Sequence, residues 1–122
     1  MQKRLPDAEF DVMKAVWKSI PPMSVNTVAS QMDNDWKIQS VISLMRRLVD
    51  RGFLRTEKNG KERVYYPLIT RDDYLKTETG HFIKRYHANS FLDLVTALYD
   101  SEALTEKDID DLLSWANGRR RE

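Results

Sequence analysis

Between residues 41 and 48 the apolar side chains recur at steps of three and four: Val41, Leu44, Met45 and Leu48. That spacing predicts a single buried stripe along an α-helix. Gln39, Ser40, Ser43, Arg46 and Arg47 fall on or near the opposite side, which leaves a polar face free. Gly52, directly after Arg51, can take the left-handed conformation that closes a helix without steric cost. Phe53 and Leu54 then open an extended run. The strand-like segments LRTE and RVYYPL flank Asn59-Gly60, a dipeptide suited to the two positive φ angles of a type I′ turn. The stretch from Trp36 to Leu68 therefore predicts a helix, a tight stop and a β-hairpin. Val41, Leu44, Met45, Leu48, Phe53 and Leu54 are its expected core.

Two more helices are expected ahead of it. Asp7 and Glu9 suit a first turn, where negative charge complements the helix dipole. Phe10, Met13, Val16, Trp17 and Ile20 follow at helical spacing until Pro21-Pro22 stops the helix. Ser24 is a good N-cap for VNTVASQM, whose apolar positions are Val25, Val28, Ala29 and Met32. Asp33-Asn34-Asp35 makes the next turn. Helix, helix, helix and hairpin is the order of a winged helix-turn-helix, with the second and third helices as the reading pair.

The C-terminal half differs in kind. Thr70 and Asp73 predict a capped helix reaching about His87, interrupted at Gly80. Its sparse apolar side is Tyr74, Phe82, Ile83 and Tyr86. Asn89 or Ser90 caps a helix bearing Phe91, Leu92, Leu94, Val95, Leu98 and Tyr99. Thr105 and Asp108 open a last helix with Ile109, Leu112, Leu113 and Ala116, closed by Gly118 before a basic Arg119-Arg120-Arg121 end. About fifty residues of helix cannot bury such stripes alone, because small units bury a low fraction of their surface. A second copy of the chain is the expected cover, with Phe91, Leu94, Val95, Leu98, Ile109, Leu112, Leu113 and Ala116 at the dimer interface. The alternative is that these helices fold back on the N-terminal domain. The fold class is thus mainly α with a small β-hairpin wing. A winged-helix domain at 1–69 would be followed by a helical dimerisation region at 70–122.

Charge sharpens this picture. The 122 residues carry a net charge of only +1, but it is unevenly spread. Residues 1–69 hold 12 Lys/Arg against 8 Asp/Glu, and residues 70–122 hold 8 against 11. Within 37–69 the ratio is 8 to 3. Lys58, Lys61 and Arg63 crowd the hairpin tip and its return strand, which suits a phosphate backbone. Absence of cysteine removes disulfides, thiolate metal sites and a cysteine nucleophile. No apolar run approaches the ~18 residues of a membrane span, and no signal-peptide core is visible, so the expected location is the cytoplasm without a membrane partner.

Five motifs in order give the chain a wider likeness. They are AEFDVMKAVW near the start, DW before the third helix, LMRRLVDRGFL at its end, VYYPL in the return strand, and FLDLVTALYDSEALTEKDIDDLL near the C-terminus. Together they resemble the penicillinase-repressor family, the BlaI/MecI type of bacterial winged-helix repressors, over nearly the whole chain. The resemblance implies a homodimer on a palindromic operator, with the N-terminal domain on double-stranded DNA and the C-terminal helices intertwined. It also implies β-lactam-resistance genes as targets, and a membrane sensor and regulatory protease as partners. The chain departs from the family in places. Lys37, Ile38, Gln39 and Ser40 stand where the family often has a Ser or Thr cap and then Pro-Lys-Thr. Ile42 stands where an Arg is usual, and cannot make the bidentate contact to guanine. Ala97-Leu98 occupies the position of the family's cleaved Asn-Phe bond. The cysteine-rich end of the copper-responsive relatives is missing.

The residues of the reading face then take roles. Gln39, Ser40 and Ser43 are expected at base edges, where Gln can pair bidentately with adenine. Lys37, Arg46, Arg47, Lys61 and Arg63 are expected at phosphates, setting register rather than sequence. Trp17 and Trp36 are expected in core or hinge packing. Catalysis is not expected. His81 and His87 are six apart and do not share a helical face, no Gly-rich phosphate loop occurs, and no nucleophile has an evident base. No cofactor or metal is expected. The competing reading is a winged helix used for protein–protein assembly without specific DNA binding.

Overall fold

The first helix, α1 (Asp7–Lys18), starts directly after Pro6 and carries Asp7 and Glu9 in its first turn. Residues 4–33 and 35–120 of the chain are described by a computed structural model. The helix ends at Lys18, three residues before Pro21, because Ile20, the residue preceding the proline, is driven out of the α region. Ser19 is already extended, and its Oγ donates back to the Ala15 carbonyl at 2.9 Å. Ile20 therefore leaves the helical stripe on which its spacing had placed it and is 86% exposed.

The next helix, α2 (Val25–Ser30), is capped as expected: Ser24 Oγ accepts from the Thr27 amide at 3.2 Å. Met32 lies beyond its end but packs on the core together with Val25 and Ala29. The turn expected at 33–35 includes Asn34, which lies outside the described residues. The third helix, α3 (Ile38–Asp50), buries Val41, Leu44, Met45 and Leu48. Its end is a Schellman motif. Phe53 N–H donates to Leu48 O at 2.9 Å and Gly52 N–H to Val49 O at 3.1 Å, with Gly52 at φ 85°. The motif delivers Phe53 and Leu54 into the core, as expected.

The hairpin consists of β1 (Leu54–Asn59) and β2 (Glu62–Pro67). Its register corrects the expected turn. Asn59 pairs with Glu62 inside the ladder, so the two-residue loop is Gly60-Lys61 rather than Asn59-Gly60. Only Gly60 has positive φ, at 69°, which is the type II′ arrangement with Gly first. The base of the hairpin sets this register. Tyr65 is buried and exchanges two backbone hydrogen bonds with Met23, at 2.9 and 3.2 Å, which adds a rudimentary third strand.

The chain forms two compact units that divide between Glu78 and Thr79. The first two turns of α4 (Arg71–His87) thus belong with the winged helix. Tyr74 is the reason. Its hydroxyl accepts from the Leu5 amide at 2.9 Å, and its ring lies 5.8 Å from both Phe10 and Phe53 and 5.9 Å from Trp17. Trp17 Nε1 donates to the Ile69 carbonyl at 3.0 Å. Burial pushes the Tyr74 hydroxyl pKa up.

Glu9 does more than face the dipole. It is buried at 2% exposure, and its Oε1 lies 2.7 Å from Nε of Arg51, the C-cap residue of α3. That oxygen has no aligned hydrogen bond, so the compensation is a charge pair across the domain. Arg51 is partly exposed, which softens its own desolvation. Removing it nonetheless leaves a buried carboxylate unpaired. Arg51→Ala is expected to destabilise the fold by about 2 kcal/mol, below the 3–5 typical of fully buried pairs. Glu9→Leu/Arg51→Ala is expected to recover most of that loss. Urea midpoints of wild type, Glu9→Leu, Arg51→Ala and the double variant check this, and a double variant as unstable as Arg51→Ala would refute the pairing.

The second unit holds the end of α4, α5 (Phe91–Asp100) and α6 (Glu106–Arg120). Gly80 does not interrupt α4, which is continuous to His87. Ala88 and Asn89 at φ 50° and 60° turn the chain, and Ser90 caps α5 by accepting from the Asp93 amide at 3.1 Å. His87 Nδ1 sits 2.8 Å from Asp93 Oδ2 across that corner. Thr105 and Asp108 form a reciprocal capping box, at 2.9 and 3.1 Å, and the Thr105 amide holds the Asp108 carboxyl below its ordinary pKa. Gly118 does not close α6. The helix runs through it to Arg120, with the Arg119 guanidinium 5.5 Å from the Trp115 ring one turn back. Arg121 lies outside the described residues. No residue of α5 or α6 is buried. Ala97 and Leu98 lie within α5, both exposed. Among the described residues no helix is long and apolar enough to cross a membrane.

Candidate nucleic-acid interface

The outward face of α3 is built by exclusion. With Val41, Leu44, Met45 and Leu48 turned inward, Gln39, Ser43 and Arg46 point directly away, and Ser40 and Arg47 lie on one flank. All five are exposed, as is Lys37 at the N-cap. Lys37 offers no capping side chain, so the first turn of α3 has no side-chain hydrogen bond at its cap. The helix passes through the Gly52 turn straight into β1, and the two elements pack together. The reading helix and the wing are therefore parts of one compact unit.

The hairpin's two faces are electrostatically different, and strand alternation shows how. Arg55 and Tyr66 are cross-strand partners on one face, with Glu57 beside them. The Arg55 guanidinium lies 4.0 Å from the Tyr66 ring. Glu57 accepts from the Tyr66 hydroxyl at 2.9 Å and from Arg55 at 3.0 Å. Those two hydrogen bonds, Tyr66's first, hold the Glu57 carboxyl below its usual pKa, and the same carboxylate raises that of Tyr66. This face is neutralised. The other face carries Leu54 and Tyr65, buried at the base, and then Lys58 directly opposite Arg63 near the tip. Lys61 occupies the loop between them.

The structure thus sorts the eight cations of residues 37–69. Arg51 is paired with Glu9, and Arg55 with Glu57. Lys37, Arg46, Arg47, Lys58, Lys61 and Arg63 are all exposed, and none has a carboxylate within ion-pair distance among the described residues. Five of these six are the cations that the sequence reading placed at phosphates. Lys58, the sixth, belongs to the basic tip already visible in the sequence, and the register places it directly opposite Arg63. Ile38, in the first turn of α3, is exposed beside these residues. Of the expected dimer residues, Phe91, Leu98 and Leu113 are exposed, and Leu94, Val95, Ile109, Leu112 and Ala116 are half-buried.

Three helices, a short bridge at Met23 and a cationic hairpin define a winged helix-turn-helix protein. The family is equally definite. A family model described as the penicillinase repressor matches residues 5–117, and the chain belongs to that family. It is 27% identical over 115 residues to the penicillinase repressor of Bacillus licheniformis, covering 90% of this chain and 89% of that one. It is 28% identical over 111 residues to the methicillin resistance regulatory protein MecI of Staphylococcus aureus (strain N315), covering 90% of each. The solution structure of the DNA-binding domain of the repressor BlaI matches with a TM-score of 0.51 at 32% identity, covering 61% of this chain and 94% of that one.

Proposed function

We propose that this chain is a DNA-binding transcriptional repressor, acting in the cytoplasm as a homodimer on a palindromic operator and controlling β-lactam-resistance genes. The observation that carries the reading is the Lys58–Arg63 pair. Like charges directly opposite each other in a sheet are unfavourable for folding. Their juxtaposition, with Lys61 in the loop between them and none of the three in an ion pair among the described residues, fits an external anion that compensates them. A duplex phosphate backbone is that anion, and it lies beside the groove that α3 would enter. Gln39, Ser40 and Ser43 then meet base edges, while Lys37, Arg46, Arg47, Lys58, Lys61 and Arg63 fix register on phosphates. The relatives' names, a penicillinase repressor and a methicillin resistance regulator, support repression and the class of gene. The exposed apolar faces of α5 and α6 support a second copy as their cover, through Phe91, Leu94, Val95, Leu98, Ile109, Leu112, Leu113 and Ala116.

A titration against random-sequence duplex at two salt concentrations tests the reading. With about six phosphate contacts in each protomer that engages the duplex, affinity is expected to fall by about 10³ per engaged protomer between ~50 and ~200 mM salt. Binding that is absent at low salt, or unmoved by salt, would leave only a protein–protein role for the wing.

A further inference from the structure

The outer face of α3 is not uniformly polar. From Ile38 to Ser43 the helix carries no charge at all, and its cations are Lys37 before that segment and Arg46 and Arg47 after it. Ile38 is 39% exposed and Ile42 is half-buried. Neither is among the hydrophobic residues packed on the core, although Val49, on the same flank of the helix, is. At four residues apart the two isoleucines form a short aliphatic ridge beside Gln39 and Ser43. Folding gives no reason for that ridge, since leaving apolar surface in water gains nothing.

We propose that Ile38 and Ile42 read thymine methyl groups in the major groove, with Gln39 on an adjacent adenine, so that the base pairs they face are A·T. This rests on the proposed DNA-binding function and specifies what is read. The N-terminal residues of a recognition helix are the ones that reach base edges. The thymine 5-methyl is the apolar group that the major-groove edges of the base pairs present there. An isoleucine against it removes apolar surface from water on both sides. Against guanine or cytosine the same isoleucine strips water from a polar edge and returns no hydrogen bond, so it also discriminates by exclusion. Guanine's bidentate partner, Arg or Lys, is missing from the whole segment 38–43. Four residues span about 6 Å of helix, and stacked bases are about 3.4 Å apart. The two methyl groups read would therefore lie within about two base-pair steps. The flanking cations Lys37, Arg46 and Arg47 supply the charge complement that holds this ridge against DNA.

Selection of duplexes from a random-sequence library by the full-length protein, followed by replacement of thymine with deoxyuridine, tests the proposal. The selected half-sites are expected to hold one or two thymines next to an adenine. Each deoxyuridine at those positions should weaken wild-type binding about fourfold, the value of one buried methyl group. Ile38→Ala/Ile42→Ala should bind the thymine duplex as weakly as wild type binds the deoxyuridine duplex, and should not respond to the replacement. Its unchanged thermal midpoint and salt-dependent binding to random duplex would show that fold and backbone contacts are intact. Selected half-sites with G·C at these positions, or a deoxyuridine effect that persists in the double variant, would overturn this proposal alone. Failure to enrich any sequence, with no salt-dependent binding, would overturn it together with the repressor function.

Discussion

Replacing Lys58, Lys61 and Arg63 together by alanine is expected to lower affinity for duplex DNA by about two to four orders of magnitude at ~150 mM salt. Each lost phosphate contact removes about 0.9 from the slope of log affinity against log salt, so the slope should flatten by almost three per protomer. The fold should not suffer. The three side chains are exposed, and Lys58 and Arg63 oppose each other directly in the ladder. Relief of that repulsion should raise stability slightly, by about 0.2–1 kcal/mol. Opposite signs for stability and affinity are what a site held for binding produces, since such sites carry local strain in exchange for function. Arg55→Ala is the control. Arg55 is on the same strand but is held by Glu57 and stacked on Tyr66, so its loss should leave the salt slope unchanged. Equal slopes for the triple variant and wild type, measured by fluorescence anisotropy across a salt series, would remove the wing from the interface.

That control depends on a distinction that local sequence could not make. Counting charges finds eight cations between 37 and 69. Which of them are free depends on cross-strand register and on burial. Arg51 is claimed by Glu9, forty-two positions earlier, a contact no window of the chain contains. Arg55 is claimed by Glu57, whose other partner, Tyr66, comes from the opposite strand. What is legible from sequence is what local periodicity controls. The buried stripe of α3, its Gly52 stop, the Ser24 and Thr105 caps and the order of elements all follow from neighbours within four or five residues. What is not legible is set by tertiary pairing. The hairpin turn moved by one residue because Tyr65, held by Met23, fixes the register from the base and leaves Gly60-Lys61 to close the tip. Gly118 fits the usual preference for Gly after a helix, but nothing there turns the chain. The same limit applies to Ile38. Sequence shows an aliphatic residue at a helix start, and only its exposure shows that the core does not use it.

The last expected result concerns the second unit. Leu98→Glu/Leu113→Glu should convert the protein to a monomer at micromolar concentration and reduce operator affinity by about 10²- to 10⁴-fold. Both leucines are exposed in the single chain, so a carboxylate at either position costs little there. Between two copies the same carboxylates would have to leave water, which costs several kcal/mol per buried ion. The effect should therefore fall on association, with helix content and thermal unfolding of the winged-helix unit close to wild type. Operator binding follows from the coupling of two reading units. In a dimer the second half-site is engaged at a high effective concentration, and in a monomer that advantage is lost although every contact within one half-site remains. The monomer should accordingly keep the salt slope of a single protomer, about half that of the dimer, when measured on a half-site duplex. Sedimentation and half-site titration together separate the outcomes. A variant that still sediments as a dimer and binds the full operator with unchanged affinity would place the dimer contact outside the α5–α6 stripe, whose apolar side chains would then need another cover.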